Sequence, residues 1–173
     1  MKKLEILIGD DCFADLSTAK SAISNMFVAM AETANYREAF PIRIEQEDNI
    51  YVGRNIVPYA SEIRVTAVKS VAEMISEAQN GNYDIIITDL EYGQFGGESG
   101  GIDVIDNVTS NATIALCTSS TNKKLLTDLR SRVDILAAPE LEENYSLLLG
   151  GGKFGLVGEK LSKHYVVSET RGE

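Results

Sequence analysis

The chain of 173 residues has little of what several large function classes require. It contains one histidine, two cysteines, three prolines and no tryptophan. A single histidine, His164, disfavours mechanisms built on a histidine base. Together with Cys12 and Cys117 it makes no zinc-ligand spacing. Two cysteines are too few for a disulfide framework, so a reducing cytoplasm is the expected compartment. Basic residues are outnumbered 26 to 16, for a net charge of −10. That balance argues against binding duplex nucleic acid, which needs clustered Lys and Arg to displace counterions, and against an anionic membrane surface. No apolar run reaches the length of a membrane span. The opening segment MKKLEILIGDD has a basic start but a short apolar run ending in two aspartates, which reads as a first strand and not as a signal peptide.

What is present is an alternation of strands and helices. Residues 3–8 form a mostly apolar run that stops at Gly9-Asp10-Asp11, as a buried parallel strand would. Helical spacing follows over 16–34, with Asp15 as its N-cap. The stretch 36–62 reads as an insertion, with two short strands around a Glu-Asp-Asn turn between Pro41 and Gly53, then a loop or short helical turn over 54–62. Strands are predicted at 63–68, 83–89, 112–117 and 133–137, and helices at 70–79, 101–108 and 122–130. An acidic helix start near Glu140–Asn144, the glycines 150–152 and a helical stretch over about 153–165 complete the chain. This order predicts an α/β fold, a doubly wound parallel sheet of five strands with right-handed crossovers.

In such folds the site lies beyond the carboxyl ends of the strands. Asp10, Asp11, Asp89 and Thr118 stand there, so strand ends bring three carboxylates and a hydroxyl to one edge. Two carboxylates about 4 Å apart repel by roughly 4 kcal/mol at an effective dielectric near 20. Protonation or a divalent cation can relieve this, and hard oxygen donors with open positions suit Mg²⁺. A metal-bound aspartate can serve as a nucleophile toward a phosphoryl group, and the hydroxyl of Thr118 can hydrogen-bond a phosphoryl oxygen.

The segments Ile6–Asp11, Tyr83–Asp89, Gly100–Ile105, Ala115–Ser119 and Val133–Pro139 occur in an order that resembles the receiver domains of two-component response regulators. The resemblance covers roughly residues 3–35 and 63–149. It implies a flavodoxin-like receiver topology over a single domain, 1–173, with the insertion at about 36–62 and a C-terminal helical extension at about 150–173. It also implies a stand-alone cytoplasmic signalling protein and not an enzyme. Asp89 matches the phosphoacceptor, Asp10 and Asp11 the acidic pair that holds Mg²⁺, Glu91 the residue whose backbone carbonyl meets the metal, and Thr118 the hydroxyl that contacts the phosphoryl group. The implied partner is a histidine kinase or another signalling protein, with a second copy of the chain a further candidate.

The sequence departs from the family pattern in several places. Ala138 stands where a phosphoryl-contacting lysine is expected, a charge-assisted hydrogen bond whose loss costs roughly 1.5–3 kcal/mol. Ile135 stands in place of the switch aromatic. The loop after Asp89 is long and glycine-rich, and reads as mobile. Lys123 and Lys124 are the substitutes weighed for the missing ammonium, at a predicted helix start. Without one, the pocket has no evident fixed cation. These departures keep a phosphorylation-independent interaction module in play as the alternative. A Mg²⁺-dependent phosphohydrolase is a third reading, for which no acid/base partner with suitable spacing is found. The glycines at 93–101 and Gly150-Gly151-Gly152-Lys153 fit no P-loop spacing. Cys12 and Cys117 read as small buried residues and His164 as a surface side chain.

Overall fold

The structure is a computed structural model that describes residues 2–142 and 152–171. Seven strands form one sheet: β1 (Lys3–Gly9), β2 (Ile44–Glu47), β3 (Ile50–Val57), β4 (Ala60–Val68), β5 (Ile85–Asp89), β6 (Thr113–Cys117) and β7 (Ile135–Ala137). The helices are α1 (Leu16–Thr33), α2 (Val71–Asn80), α3 (Gly100–Asn107), α4 (Lys123–Leu129) and α5 (Gly152–Arg171). The sheet order is β2-β3-β4-β1-β5-β6-β7. The five expected parallel strands are all there, as β4-β1-β5-β6-β7, with β1 paired in parallel to both β4 and β5. The sheet has seven strands and not five because the insertion folds onto its edge as an antiparallel hairpin, β2–β3 on β4.

Alternation along β1 sets the two faces. Leu4, Ile6 and Ile8 join the core under α1 and α5, with Met26, Phe27, Leu156, Val157 and Leu161. Leu7 points the other way, into a cluster with Met74 of α2, Ile86, Tyr92 and Val104 of α3. The insertion earns its place by burial. Tyr51, Ile56 and Val57 lie in the α1 core, and Gly53 leaves room for the Phe27 ring, which a Cβ there would approach to 2.7 Å. The loop expected over 54–62 is mostly strand: β3 runs to Val57 and β4 starts at Ala60, with Pro58 and Tyr59 at the turn between them. Asn55, at φ 54°, accompanies a shift of register between Arg54 and Val57, a bulge that lets a polar sequence continue a buried strand. Beyond it, the edge strand β2 exposes Glu45, Gln46 and Glu47, charges that discourage further edge pairing.

The helix stops and starts follow local chemistry. Asp15 caps α1 by accepting from the Ser17 N–H at 2.9 Å. Ser70 and Glu73 form a reciprocal capping box at the start of α2. The last helix is longer than its predicted stretch, running to Arg171. The acidic turn expected near Glu140–Asn144 is a short 3-10 turn over Pro139–Leu141; Asn144, Gly150 and Gly151 lie outside the described residues. Among the described residues no helix is long and apolar enough to cross a membrane.

Candidate functional site

The parallel register brings the acidic strand ends together. Gly9 pairs with Thr88, so the residues that follow, Asp10 and Asp89, leave adjacent strands at the same level. Asp89 pairs in turn with Cys117, which places Thr118 one residue beyond on the next strand. Oxygens of Asp10, Asp11 and Asp89 all lie within 4.8 Å of one another. They adjoin a cavity of about 330 Å³ lined by Asp11, Asp89, Glu91, Thr118, Ser120 and Lys153, among others. Asp10, Asp11, Asp89, Glu91 and Thr118 thus converge on one place.

Each side chain is held differently. Asp10 is 2% exposed and accepts from the Cys12 N–H through Oδ1 at 3.0 Å. Its Oδ2 faces a side-chain ammonium at 2.6 Å. Asp89, 6% exposed, accepts from the Leu90 N–H through Oδ1 at 2.9 Å. Asp11 is partly exposed and lies against Gly93, where a Cβ would come within 3.0 Å of its Oδ2. Thr118 is buried, and its Oγ1 accepts from the Ser120 N–H at 3.0 Å.

The loop after Asp89 is tied down and does not dangle. Tyr92 is fully buried and its hydroxyl shares a hydrogen bond with Thr88 Oγ1 at 2.8 Å. The Tyr92 N–H donates to the Gly97 carbonyl and the Gly97 N–H to the Gly93 carbonyl, at 2.9 and 2.7 Å. This tight turn needs positive φ at Gly93 and Gly97, 51° and 82°, which accounts for the glycines without invoking a phosphate cradle.

The feature that sequence reasoning missed is Lys153. It stands in the first turn of α5 with its Nζ 2.6 Å from Asp10 Oδ2 and 3.4 Å from Asp89 Oδ2. The pocket therefore does contain a fixed cation. Neither proposed substitute supplies it: Lys123 points to Glu140 at 3.8 Å and is largely exposed, as is Lys124. Ala138 is buried at the start of the 3-10 turn. The signal for Lys153 was a lysine directly behind Gly150-Gly151-Gly152, at the start of a helix.

Electrostatics in the pocket follow burial first and charge second. Burial pushes the Asp89 carboxyl up to about 7, against the pull of the Lys153 ammonium and with a further push from Asp10. Asp10 is also penalised by burial, yet Lys153 and the Cys12 hydrogen bonds hold it below the usual carboxylate range. Asp11 is raised by burial and by its neighbour Asp10. For Lys153, burial would lower the ammonium, but Asp89 and Asp10 raise it above the ordinary lysine value. The two cysteines beside the site are pushed up mainly by burial, which leaves their thiols protonated and inert, as expected of structural residues. His164 is exposed on α5, edge-on to the Tyr165 ring.

No protein-family model matches the chain, and no curated protein matches its sequence. Solved structures do. The response regulator RcsB of Salmonella typhimurium is 14% identical, with a TM-score of 0.51 over 100% of this chain and 62% of that one. The chain has the receiver-domain fold. Other solved structures superpose less closely. The response regulator domain of Thermotoga maritima CheB is 12% identical, covering 98% of this chain and 96% of that one with a TM-score of 0.45. The N-terminal domain of an uncharacterized Wolinella succinogenes protein is 15% identical, covering 96% and 98% with a TM-score of 0.47. In this receiver fold the C-terminal sheet edge carries the acidic cluster and the Lys153 ammonium together.

Proposed function

We propose that the protein is a receiver-like signalling module whose phosphoacceptor is Asp89, fed by a histidine kinase or another phosphodonor of the same signalling chemistry. One observation carries this reading: carboxylate oxygens of Asp10, Asp11 and Asp89 cluster within 4.8 Å beside a cavity that Thr118 also lines. The donor set fits Mg²⁺, since it is made of hard carboxylate oxygens from three residues gathered at one place. Asp10, Asp11, Asp89 and the backbone carbonyl of Glu91 would hold the ion, which when bound supplies neutralisation of phosphoryl charge.

In the transfer, a carboxylate oxygen of Asp89 forms a bond to phosphorus as the bond to the donor's leaving atom breaks, an imidazole nitrogen of a phosphohistidine or the acyl oxygen of acetyl phosphate, and that atom keeps the electron pair. Thr118 would donate its hydroxyl hydrogen to a phosphoryl oxygen, giving up no backbone bond to do so, because in the resting pocket its Oγ1 acts as acceptor. Incubation with acetyl phosphate and Mg²⁺ should add the mass of one phosphoryl group to the intact chain, and Asp89→Asn should abolish the gain. An unmodified wild-type chain would defeat the reading.

One observation favours a second reading, an interaction module that works without phosphorylation. Lys153 already neutralises Asp10, so the pocket is partly charge-balanced with no ion added. On that reading partner binding survives Asp89→Asn.

A further inference from the structure

Lys153 is paired with carboxylates that would hold a metal. Its ammonium is 2.6 Å from Asp10 Oδ2 and 3.4 Å from Asp89 Oδ2, the same two carboxylates that belong to the oxygen cluster. A Mg²⁺ ion binds carboxylate oxygen at about 2.0–2.1 Å and tolerates little distortion of its shell. An ion on Asp10 Oδ2 would have to share that oxygen with the ammonium, and at the effective dielectric of a partly buried site their mutual repulsion is several times the thermal energy.

The backbone that carries Lys153 is anchored. Its carbonyl accepts from the Cys117 thiol at 3.4 Å, and Phe154 packs against Phe13 with ring centroids 5.6 Å apart. Behind it, Ser162 of the same helix donates to the Met30 carbonyl of α1 at 3.1 Å. With the helix so fixed, the ammonium must leave by swinging the flexible lysine side chain. Its stem permits this, and the side chain is 17% exposed toward the cavity it lines.

We propose that Lys153 is a built-in cation that competes with divalent metal for Asp10 and Asp89, so that metal enters the pocket only as the ammonium leaves. This rests on the reading that these carboxylates hold a divalent ion. It follows that the protein binds Mg²⁺ weakly because of its own lysine, and that replacing the lysine strengthens binding. A lysine that merely braced the carboxylates for the metal would do the opposite.

The test is calorimetric titration of MgCl₂, at constant ionic strength, into the full chain as wild type, Lys153→Met, Lys153→Arg and Asp11→Asn. Lys153→Met is expected to bind at least tenfold more tightly, about 1.4 kcal/mol. Lys153→Arg, which keeps the charge, should stay close to wild type, and Asp11→Asn should bind less tightly. Circular dichroism checks the fold, and Lys153→Gln replaces the Met variant if that one fails to fold. Equal affinity for wild type and the neutral variant overturns the competition and leaves the metal site standing. Weaker binding by the neutral variant also overturns it, in favour of a positioning role. Binding by none of the proteins overturns both the metal reading and the proposal.

Discussion

Asp89→Asn is expected to stabilise the protein at neutral and alkaline pH in the presence of a chelator. The carboxyl of Asp89 is buried, and burial with the added push of Asp10 raises it from 3.8 to about 7. A raised acid binds its proton more tightly in the folded chain than in the unfolded one. Between about pH 4 and 7 the folded state therefore holds a proton that the unfolded state has released, and stability falls as pH rises through that window. Above 7 the whole cost is present, of order 4 kcal/mol when the window is integrated. Asparagine has nearly the shape of the protonated acid and never ionises. Unfolding by urea should thus show the variant close to wild type at pH 4, increasingly more stable up to pH 7, and then ahead by a constant margin. A variant less stable than wild type at pH 8 would mean that the Lys153–Asp89 pair outweighs the burial cost. The expected direction is the usual one for a functional group held in a place that does not suit its charge.

The second large effect concerns the crossing of α5 over α1. Gly158 lies where the helices touch: a Cβ there would sit 2.3 Å from the Met26 carbonyl oxygen, which is backbone and cannot swing aside. In an exposed helix, Gly→Ala gains about 1 kcal/mol. Here the helices must separate to admit one methyl group, and overpacking of this kind costs typically 1–3 kcal/mol, occasionally more. Gly158→Ala should therefore destabilise by about 2 kcal/mol, and for a domain of this size lower Tm by roughly 4–8 °C. The neighbouring exposed position His164, changed to alanine, should move stability by less than about 0.5 kcal/mol and serves as the control. A stabilised Gly158→Ala would show that the crossing is looser than the geometry indicates. Because α5 also carries Lys153, the destabilised crossing should loosen the ammonium in the acidic pocket as well.

Much of this was legible in the sequence because it is local. The run of isoleucines at 85–87 and the alternation along β1 name their strands directly, and aspartates at strand ends fall at one sheet edge by topology alone. Asp10, Asp11 and Asp89 could therefore be placed together before any geometry was known. Lys153 could not. It reaches the pocket only because α5 docks along α1 through Gly158, Ser162 and Leu161, contacts between segments more than a hundred residues apart. The insertion was half legible for a similar reason. Its hairpin has strand character, but the continuation past Gly53 depends on Phe27 of α1 filling the space beside that glycine. The loop after Asp89 read as mobile because glycines dominate it, whereas the buried ring of Tyr92 holds it in place.

The most direct test of the central claim is to locate the phosphoryl group. Treatment with acetyl phosphate and Mg²⁺, followed by borohydride reduction of the acyl phosphate and peptide mapping, should convert residue 89 to homoserine. The conversion should require the divalent ion and be lost in Asp11→Asn. No conversion in the wild-type chain, or conversion at another carboxylate, would contradict the assignment of Asp89 as the phosphoacceptor of this pocket.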